Sequence, residues 1–518
     1  MPAEIHADEA RSELQRGYCL FATLWSCAIL FDHSRNLGPR SSLAMLFLVL
    51  ALRSSAVWVL LRPSKPLAFL VLNGALATTI LVNLPKGANH RVLVFVAAAT
   101  VGACALRVFA SHRGAIRLGI SELYAAFAPL VRWELVALYF WAVVQKLNVD
   151  FFDPSISCGP SQVWNLQRVL PYFPSAESLR VFSIYGTLFV EAAIPCLLIN
   201  RRTRLAGIGL AAGFHLVIGA GYVGFSACLF ALLSLFAPPD WTAALGRLGS
   251  GLRDRLSFLG ESAASARRFA ERAMASIVGA LLLAAAITAV GFEDDTADFW
   301  GSTWLSSDGL LTLWFVLGGS AVALFAFVCW RSGFCPGARD ALRPRHASLV
   351  ILPLVVFGVG LLPHLGIKNT QAFAMFSNLK TGGGTSNHLF IPSSWQISDN
   401  LNDLVTIRES NDQPLAKLVG PSWSWFNYFS TYTVDRQRLQ REIPPPRWRL
   451  PYLALRRRIS DLADAGATGV RVVYERAGVT HRVENAEEDP ELAGLGILAR
   501  KLLLLRAVPD TDRGYCMW

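Results

Sequence analysis

The sequence predicts a polytopic α-helical membrane domain of about eleven spans, residues 1–365, followed by a small extracytoplasmic α+β domain, residues 366–518. Three observations carry this expectation. Hydrophobic residues fill 53% of the 518 positions and charged residues only 16%, where soluble chains carry about 25% charge. Apolar runs of roughly 14–24 residues recur along the first part of the chain, near the ~20 that a helix needs to cross a bilayer. After residue 365 the pattern changes to short alternating stretches bounded by turns.

The apolar runs lie near 18–31, 41–61, 66–83, 91–109, 129–146, 176–199, 206–222, 224–237, 273–291, 311–330 and 347–365. The first and eighth are short, and 206–222 is joined to 224–237 by almost no loop. The first 16 residues are polar and the first run leads into further spans, so no cleavable signal peptide is expected. Loop charge sets the orientation. With the N-terminus in the cytoplasm, the inner segments hold twenty lysines and arginines and the outer segments between spans hold four. The loop 292–309 has neither. Eleven spans then place the tail outside, in an integral protein of the cell or inner membrane. The net charge of +11 reads as these basic inner loops, and no nucleic-acid motif accompanies it. The basic stretch 238–272 reads as an amphipathic cytoplasmic helix on anionic lipid, or as a solvated linker.

In the tail, "NDLVTIRES" (402–410) and "GVRVVYERAGVTHRV" (469–483) alternate like strands. "RRRISDLADAG" (456–466) reads as a short helix that stops at Gly466. "NLKTGGGTSNH" (378–388) has the look of a phosphate loop but contains no GKS or GKT and is followed by no helix pattern. Its glycines instead suit a tight turn or a close backbone approach. The aromatic stretch 422–429 suits packing against the membrane domain, or a surface for lipid or substrate. Nine cysteines form no CxxC and no zinc spacing. His364, His388 and His481 likewise lack metal spacing, and no metal is predicted. Cys158 and Cys516 are the only cysteines on the expected outer side, where disulfides persist. A bridge between them would clamp the tail over the loop 147–175.

Titratable groups inside apolar segments are the candidates for chemistry. The fifth run ends "FWAVVQKLNVDFF" (140–152), with a single lysine. Lys146 fits two readings, an anchor that snorkels to the interface or a catalytic base. Asp150 lies four residues on and would form a simple salt bridge with Lys146 if the helix continued. Charge counting places Asn89 and His90, at the outer start of the fourth span, at a similar depth to Lys146. His215 lies mid-span and fits a structural or a ligand-binding histidine. Glu191, in "FVEAAIPCLL", must face the protein interior or a cavity, where it suits holding an arginine or histidine in place.

Several segments also match a known family in order. "YFWAVVQKLNVDFF" (139–152) resembles the lysine segment of the vitamin K-dependent γ-carboxylase family, within the wider group of proteins with an HTTM (horizontally transferred transmembrane) domain. "GANHRVLVFVAAA" (87–99) resembles the family's Asn-His at the start of a span. "GFHLVIGAGYVGFSACLFALLSLFAPPDW" (213–241) resembles its span histidine running on to Pro-x-Trp. "LLPHLGIKNTQAFAMFSNLKTGGGTSNHLFI" stands where the family has its last span and the first strands of its outer domain. The resemblance implies that Lys146 is the catalytic base, that His90 assists it, and that Asn89, His90 and His215 contact a reduced quinone. Gln145 stands where the carboxylase has a second lysine, and the tail is shorter than in the animal enzyme. The implied chemistry uses a vitamin K hydroquinone-like cofactor and dioxygen to drive proton abstraction, carboxylation or oxygenation of a second substrate, a peptide or protein at the outer domain. A reading from a different class is a non-enzymatic membrane scaffold or exporter-accessory protein that binds a partner through the tail.

Overall fold

The computed structural model describes residues 2–32, 43–85, 89–111, 119–160, 177–255, 270–283, 307–333, 336–337, 340–422 and 444–516. Residues 292–306 of the loop 292–309, 161–175 of the 147–175 loop, 256–269 of the basic stretch, 284–291 of the ninth apolar run and 423–429 of the aromatic stretch lie outside these.

Each apolar run forms helix within the described residues. In chain order these are α1 (Pro2–Asp32), α2 (Leu43–Leu61), α3 (Pro66–Asn83), α4 (Asn89–Ser111), α5 (Ile120–Val144), α6 (Glu177–Ile199), α7 (Arg204–Ile218), α8 (Val223–Ser234), α9 (Pro239–Arg255), α10 (270–283), α11 (Ser307–Ser332) and α12 (Ile351–Leu361). Seven of them are long and apolar enough to cross a membrane, or eight if the bent pair α8 and α9 counts as one span. The first run is not short after all, because α1 extends it with polar turns over 31 residues. The run 224–237 breaks at Pro238 and Pro239, and the chain turns by 108° into the basic helix α9. Proline at the start of a helix is tolerated, whereas its missing N–H and fixed φ end the helix before it.

The contacts divide the chain into two compact units. The first comprises Met1–Asn83, Leu93–Ala137 and Ala192–Leu354, and the second Leu84–Val92, Leu138–Glu191 and Val355–Trp518. In the first unit, Phe21, Trp25, Phe69 and Phe127 form an aromatic core. Two buried polar pairs lie there: Trp25 Nε1 donates to Asn73 Oδ1 at 3.2 Å, and Thr100 Oγ1 donates to Glu134 Oε1 at 2.5 Å. Such pairing is required wherever polar atoms leave water. Glu271 of α10 accepts from Arg62 and Lys65 at 2.7 and 2.5 Å and ties α10 to the turn between α2 and α3.

The second unit gathers the start of α4, the end of α5, most of α6 and the end of α12 with the whole tail. The tail carries a five-stranded antiparallel sheet of strands β1 (Leu404–Ser410), β2 (Trp448–Pro451), β3 (Val472–Arg476), β4 (Val479–Val483) and β5 (Val508–Pro509), in the order β4-β3-β1-β2-β5. The two stretches expected as strands are therefore β1 and the β3–β4 hairpin. Its turn is Ala477-Gly478, both at positive φ, as a two-residue hairpin loop demands. The helix α13 (Tyr452–Asp464) begins four residues before the expected stretch and packs Leu455 and Ile459 into the core beneath Val405, Trp448 and Val472. It stops at Gly466, whose φ of +68° suits glycine after a helix end. Gly382 lies against the Leu401 carbonyl, and Gly383 and Gly384 follow at positive φ, so this run is a tight turn.

Candidate functional site

The second unit holds Lys146, Asn89 and His90. Helix α5 ends at Val144, and Gln145 and Lys146 form the turn that closes it. Gln145 N donates to Trp141 O at 2.9 Å, and Lys146 N donates to Val143 O at 3.0 Å. The next residues leave the helix and pair with the tail. Val149 N donates to Asn387 O at 3.1 Å and Leu389 N to Leu147 O at 2.9 Å, around a bridge between Asn148 and His388.

The Lys146 side chain turns inward and is 1% exposed. Its Nζ donates to Ala142 O at 3.1 Å and Met375 O at 3.4 Å, and lies 2.7 Å from Glu191 Oε2. An interfacial anchor reaches out along its four-carbon stem, and this lysine does the opposite. Glu191, on α6, is also buried. It faces the interior as expected, but its partner is the lysine and not an arginine or histidine. Asp150 is not that partner. The helix has already ended, and Asp150 Oδ2 accepts from Asn387 Nδ2 at 2.6 Å and Gly514 N at 2.7 Å. Burial raises the Asp150 carboxyl above its usual range, and these two donors offset part of that rise.

One segment, "QAFAMFSN" (371–378), connects Asn89 to Lys146. Asn89 Oδ1 accepts from Phe373 N at 3.1 Å, and two residues on, Met375 O accepts from Lys146. Four non-glycine residues of this segment stand at positive φ: Gln371 (51°), Phe373 (57°), Phe376 (50°) and Asn378 (56°). Each such residue costs on the order of 1–3 kcal/mol and persists only where its surroundings over-determine it. Here the surroundings are side-chain hydrogen bonds that tie the segment to groups far away in sequence. Gln371 Nε2 donates to Pro85 O at 2.7 Å, and Asn148 Nδ2 donates to Ser377 O. Asn378 is the hub: its Oδ1 accepts from Cys158 N at 2.7 Å, and its Nδ2 donates to Ile156 O and Gly514 O, both at 2.9 Å. Ala372, Phe373, Ser377 and Asn378 are all buried. Cys158 and Cys516 are joined by a disulfide, with Cα atoms 5.1 Å apart, within the normal reach of such a bond.

Gln145, His364 and His388 form a second polar cluster that the sequence did not single out. Gln145 Nε2 donates to Gly360 O at 2.7 Å, so Gln145 Oε1 faces His364 Nε2, at 2.9 Å, as an acceptor. His364 therefore carries a proton on Nε2. Its Nδ1 is buried and has no hydrogen-bond partner among the described residues, and its ring stacks on Trp141. His388 Nδ1 accepts from Phe390 N and Ile391 N at 3.1 and 3.0 Å, so its Nε2 donates to Val144 O at 2.9 Å. Burial lowers the pKa of His388 and keeps the ring neutral. Spacing could not have found this cluster, since its members are more than 200 residues apart for Gln145 and His364.

Asn89 and His90 are both buried at the start of α4. His215 belongs to the first unit, where it is buried on α7 with its ring edge-on to Phe214 and Phe225. Comparison of the chain with family models, with curated proteins and with solved structures gives no match.

Proposed function

We propose that this chain is an integral membrane enzyme in which Lys146 acts as a base toward a reduced quinone-type cofactor. The observation that carries the reading is the enclosure of Lys146. Its amine is held inside the protein by Glu191, Ala142 O and Met375 O, and intramembrane ionisable groups placed at such expense are functional by default. The resemblance to the γ-carboxylase family adds the cofactor class and the roles of Asn89 and His90.

The residues fit a quinol in kind. A hydroquinone offers hydroxyl protons, and the unit holds a lysine amine and an unpartnered imidazole nitrogen, His364 Nδ1, both able to accept one once neutral. Trp141 supplies an aromatic wall beside His364. When bound, a reduced quinone with dioxygen would supply a base strong enough to act on a second substrate. Glu191 can take up the proton that Lys146 must lose before it serves as a base. Asn89 positions the segment 371–378 that holds Lys146 from the other side, and His90 stands next to it in the chain. The second substrate is proposed to be a peptide or protein reaching the outer tail.

The finer topology belongs to the same proposal: eleven spans, with the N-terminus in the cytoplasm and the tail outside. Two observations support it. The ends of α4, α5, α6 and α12 that group with the tail are the four ends that charge counting assigns to the outside. The disulfide at Cys158 and Cys516 suits an oxidising compartment. A reporter fused after residue 518 that is active only in the cytoplasm should stay silent; activity from it would contradict the orientation.

The test of function uses the purified full chain with a reduced naphthoquinone and measures dioxygen uptake. Wild type should consume dioxygen, and Lys146→Arg should lose at least about 100-fold of the rate, the scale of general-base catalysis, because arginine does not give up its proton. A fully active Lys146→Arg protein would sink the catalytic reading and leave the scaffold reading standing.

A further inference from the structure

The first unit contains a cavity of about 610 Å³ that none of the residues above explains. It opens between α1, the first half of α5, the start of α7, the junction of α8 and α9, and the segment 340–345. Its lining carries four arginines, Arg132, Arg204, Arg343 and Arg345, against two acids, Glu13 and Asp340. The balance is positive by two charges even with both acids ionised.

At the buried Arg132 this charge meets only neutral groups among the described residues. Arg132 is 8% exposed, and its guanidinium is spent on neutral acceptors. Nε donates to Leu235 O at 2.7 Å, Nη2 donates to the same oxygen and Nη1 to Ala341 O, with the Tyr124 hydroxyl as a further neighbour. Among the described residues it has no carboxylate partner. Arg204, also buried, donates to Leu198 O at 2.9 Å and Ile199 O at 3.3 Å. Arg343 and Arg345, exposed at the mouth, make no side-chain hydrogen bond or ion pair among the described residues, and neither do Glu13 and Asp340. Buried charge is retained when something of opposite sign meets it. Guanidinium groups match the geometry of a phosphate better than any other anion-binding side chain.

A second observation fixes the rest of the ligand. At Ala237 the cavity adjoins a groove of about 130 Å³, almost wholly apolar, lined by Leu20, Ile208, Leu233, Trp241 and Phe325 among others. A cationic cavity that runs on into an apolar groove between helices matches one kind of molecule, an amphiphile with an anionic head. We propose that this place is a binding site for an anionic phospholipid, with its phosphate between Arg343 and Arg345 and an acyl chain in the groove beyond Ala237. Arg132 and Arg204 supply the positive field behind the phosphate. The proposal stands apart from Lys146, since none of its residues belongs to the second unit.

The test is retention of lipid by the delipidated full chain in detergent, read by native mass spectrometry after addition of dioleoylphosphatidylglycerol or dioleoylphosphatidylcholine. Phosphatidylglycerol should be retained about ten-fold more strongly, and Arg343→Ser with Arg345→Ser should remove about ten-fold of that retention, the scale of one charge-assisted hydrogen bond. These two residues are exposed, so the variant should fold; an unchanged melting temperature checks this. Ala237→Phe, which narrows the groove, should weaken the lipid and leave inorganic phosphate unaffected. Equal retention of the two lipids, or an unchanged arginine variant, would overturn the proposal. So would inorganic phosphate that displaces the lipid completely at millimolar concentration, which would assign the site to a soluble phosphate.

Discussion

Replacing Lys146 by methionine is expected to lower stability by about 3–5 kcal/mol, and replacing Glu191 by glutamine in the same chain is expected to restore most of it. The first figure is the usual consequence of leaving one partner of a buried ion pair alone. Lys146 and Glu191 form such a pair, with side chains 2% and 10% exposed and 2.7 Å between nitrogen and oxygen. Methionine keeps the length and apolar body of the lysine stem, so little packing is lost. Glutamine then removes the stranded charge. Thermal unfolding in detergent reads the stability, and quinol-dependent dioxygen uptake reads the chemistry. The two readouts should part company: the double variant should be nearly as stable as wild type and still inactive. A double variant as unstable as Lys146→Met would show that the pair is not what holds this region. One as active as wild type would remove Lys146 from the proposed mechanism.

Asn378→Ala should rank with it, at about 3–6 kcal/mol. The Asn378 side chain makes three hydrogen bonds inside the protein, to Cys158 N, Ile156 O and Gly514 O, and buried groups that lose a partner cost about 1–3 kcal/mol each. Its φ of 56° adds a second term, because alanine resists the left-handed region that asparagine tolerates. Asn378→Gly separates the two terms. It relieves the backbone and restores none of the bonds, so it should be about 1 kcal/mol milder than alanine. If glycine and alanine destabilise equally in an unfolding titration, the backbone contributes nothing, and if both are harmless, the hub is not a hub.

These residues also mark how far the sequence could be read. The helices were legible because each must present a long apolar surface, and every apolar run forms helix within the described residues. The β3–β4 hairpin was legible because alternation brackets Ala477-Gly478. The inward face of Glu191 was legible from its apolar neighbours. Its partner was not, because Lys146 arrives from another helix and no local spacing records that meeting. The end of α5 at Val144 was also hidden. "VVQKL" carries no glycine or proline to stop a helix, and the stop comes from pairing of 147–149 with 387–389, a tertiary effect. It was this missed ending that made Asp150 look like the counter-ion. The segment 371–378 was the least legible. It takes positive φ at four residues without one glycine among its eight, so the usual sequence signal for such backbone is missing. Asn89 could be placed beside Lys146 by depth alone, but the strand of chain that links them could not.

The hydrogen bonds around Gly514 and the disulfide at Cys516 carry a consequence for how the protein is made. Gly514 N binds Asp150, Gly514 O binds Asn378, and Cys516 is bonded to Cys158. A side chain at 514 would strike the Asn378 carbonyl, so only the native backbone fits that seat. The residues flanking Lys146 are thus waiting for a piece of chain synthesised more than 350 residues later. A nascent chain that has inserted all of its helices still lacks this keystone, and its Asp150 and Asn378 each remain one partner short. Oxidation of one cysteine pair then coincides with completion of the lysine's surroundings. Capture of the Cys158 thiol during synthesis would trap the protein in an immature form, and a quality-control protease would have an unlatched tail by which to recognise it.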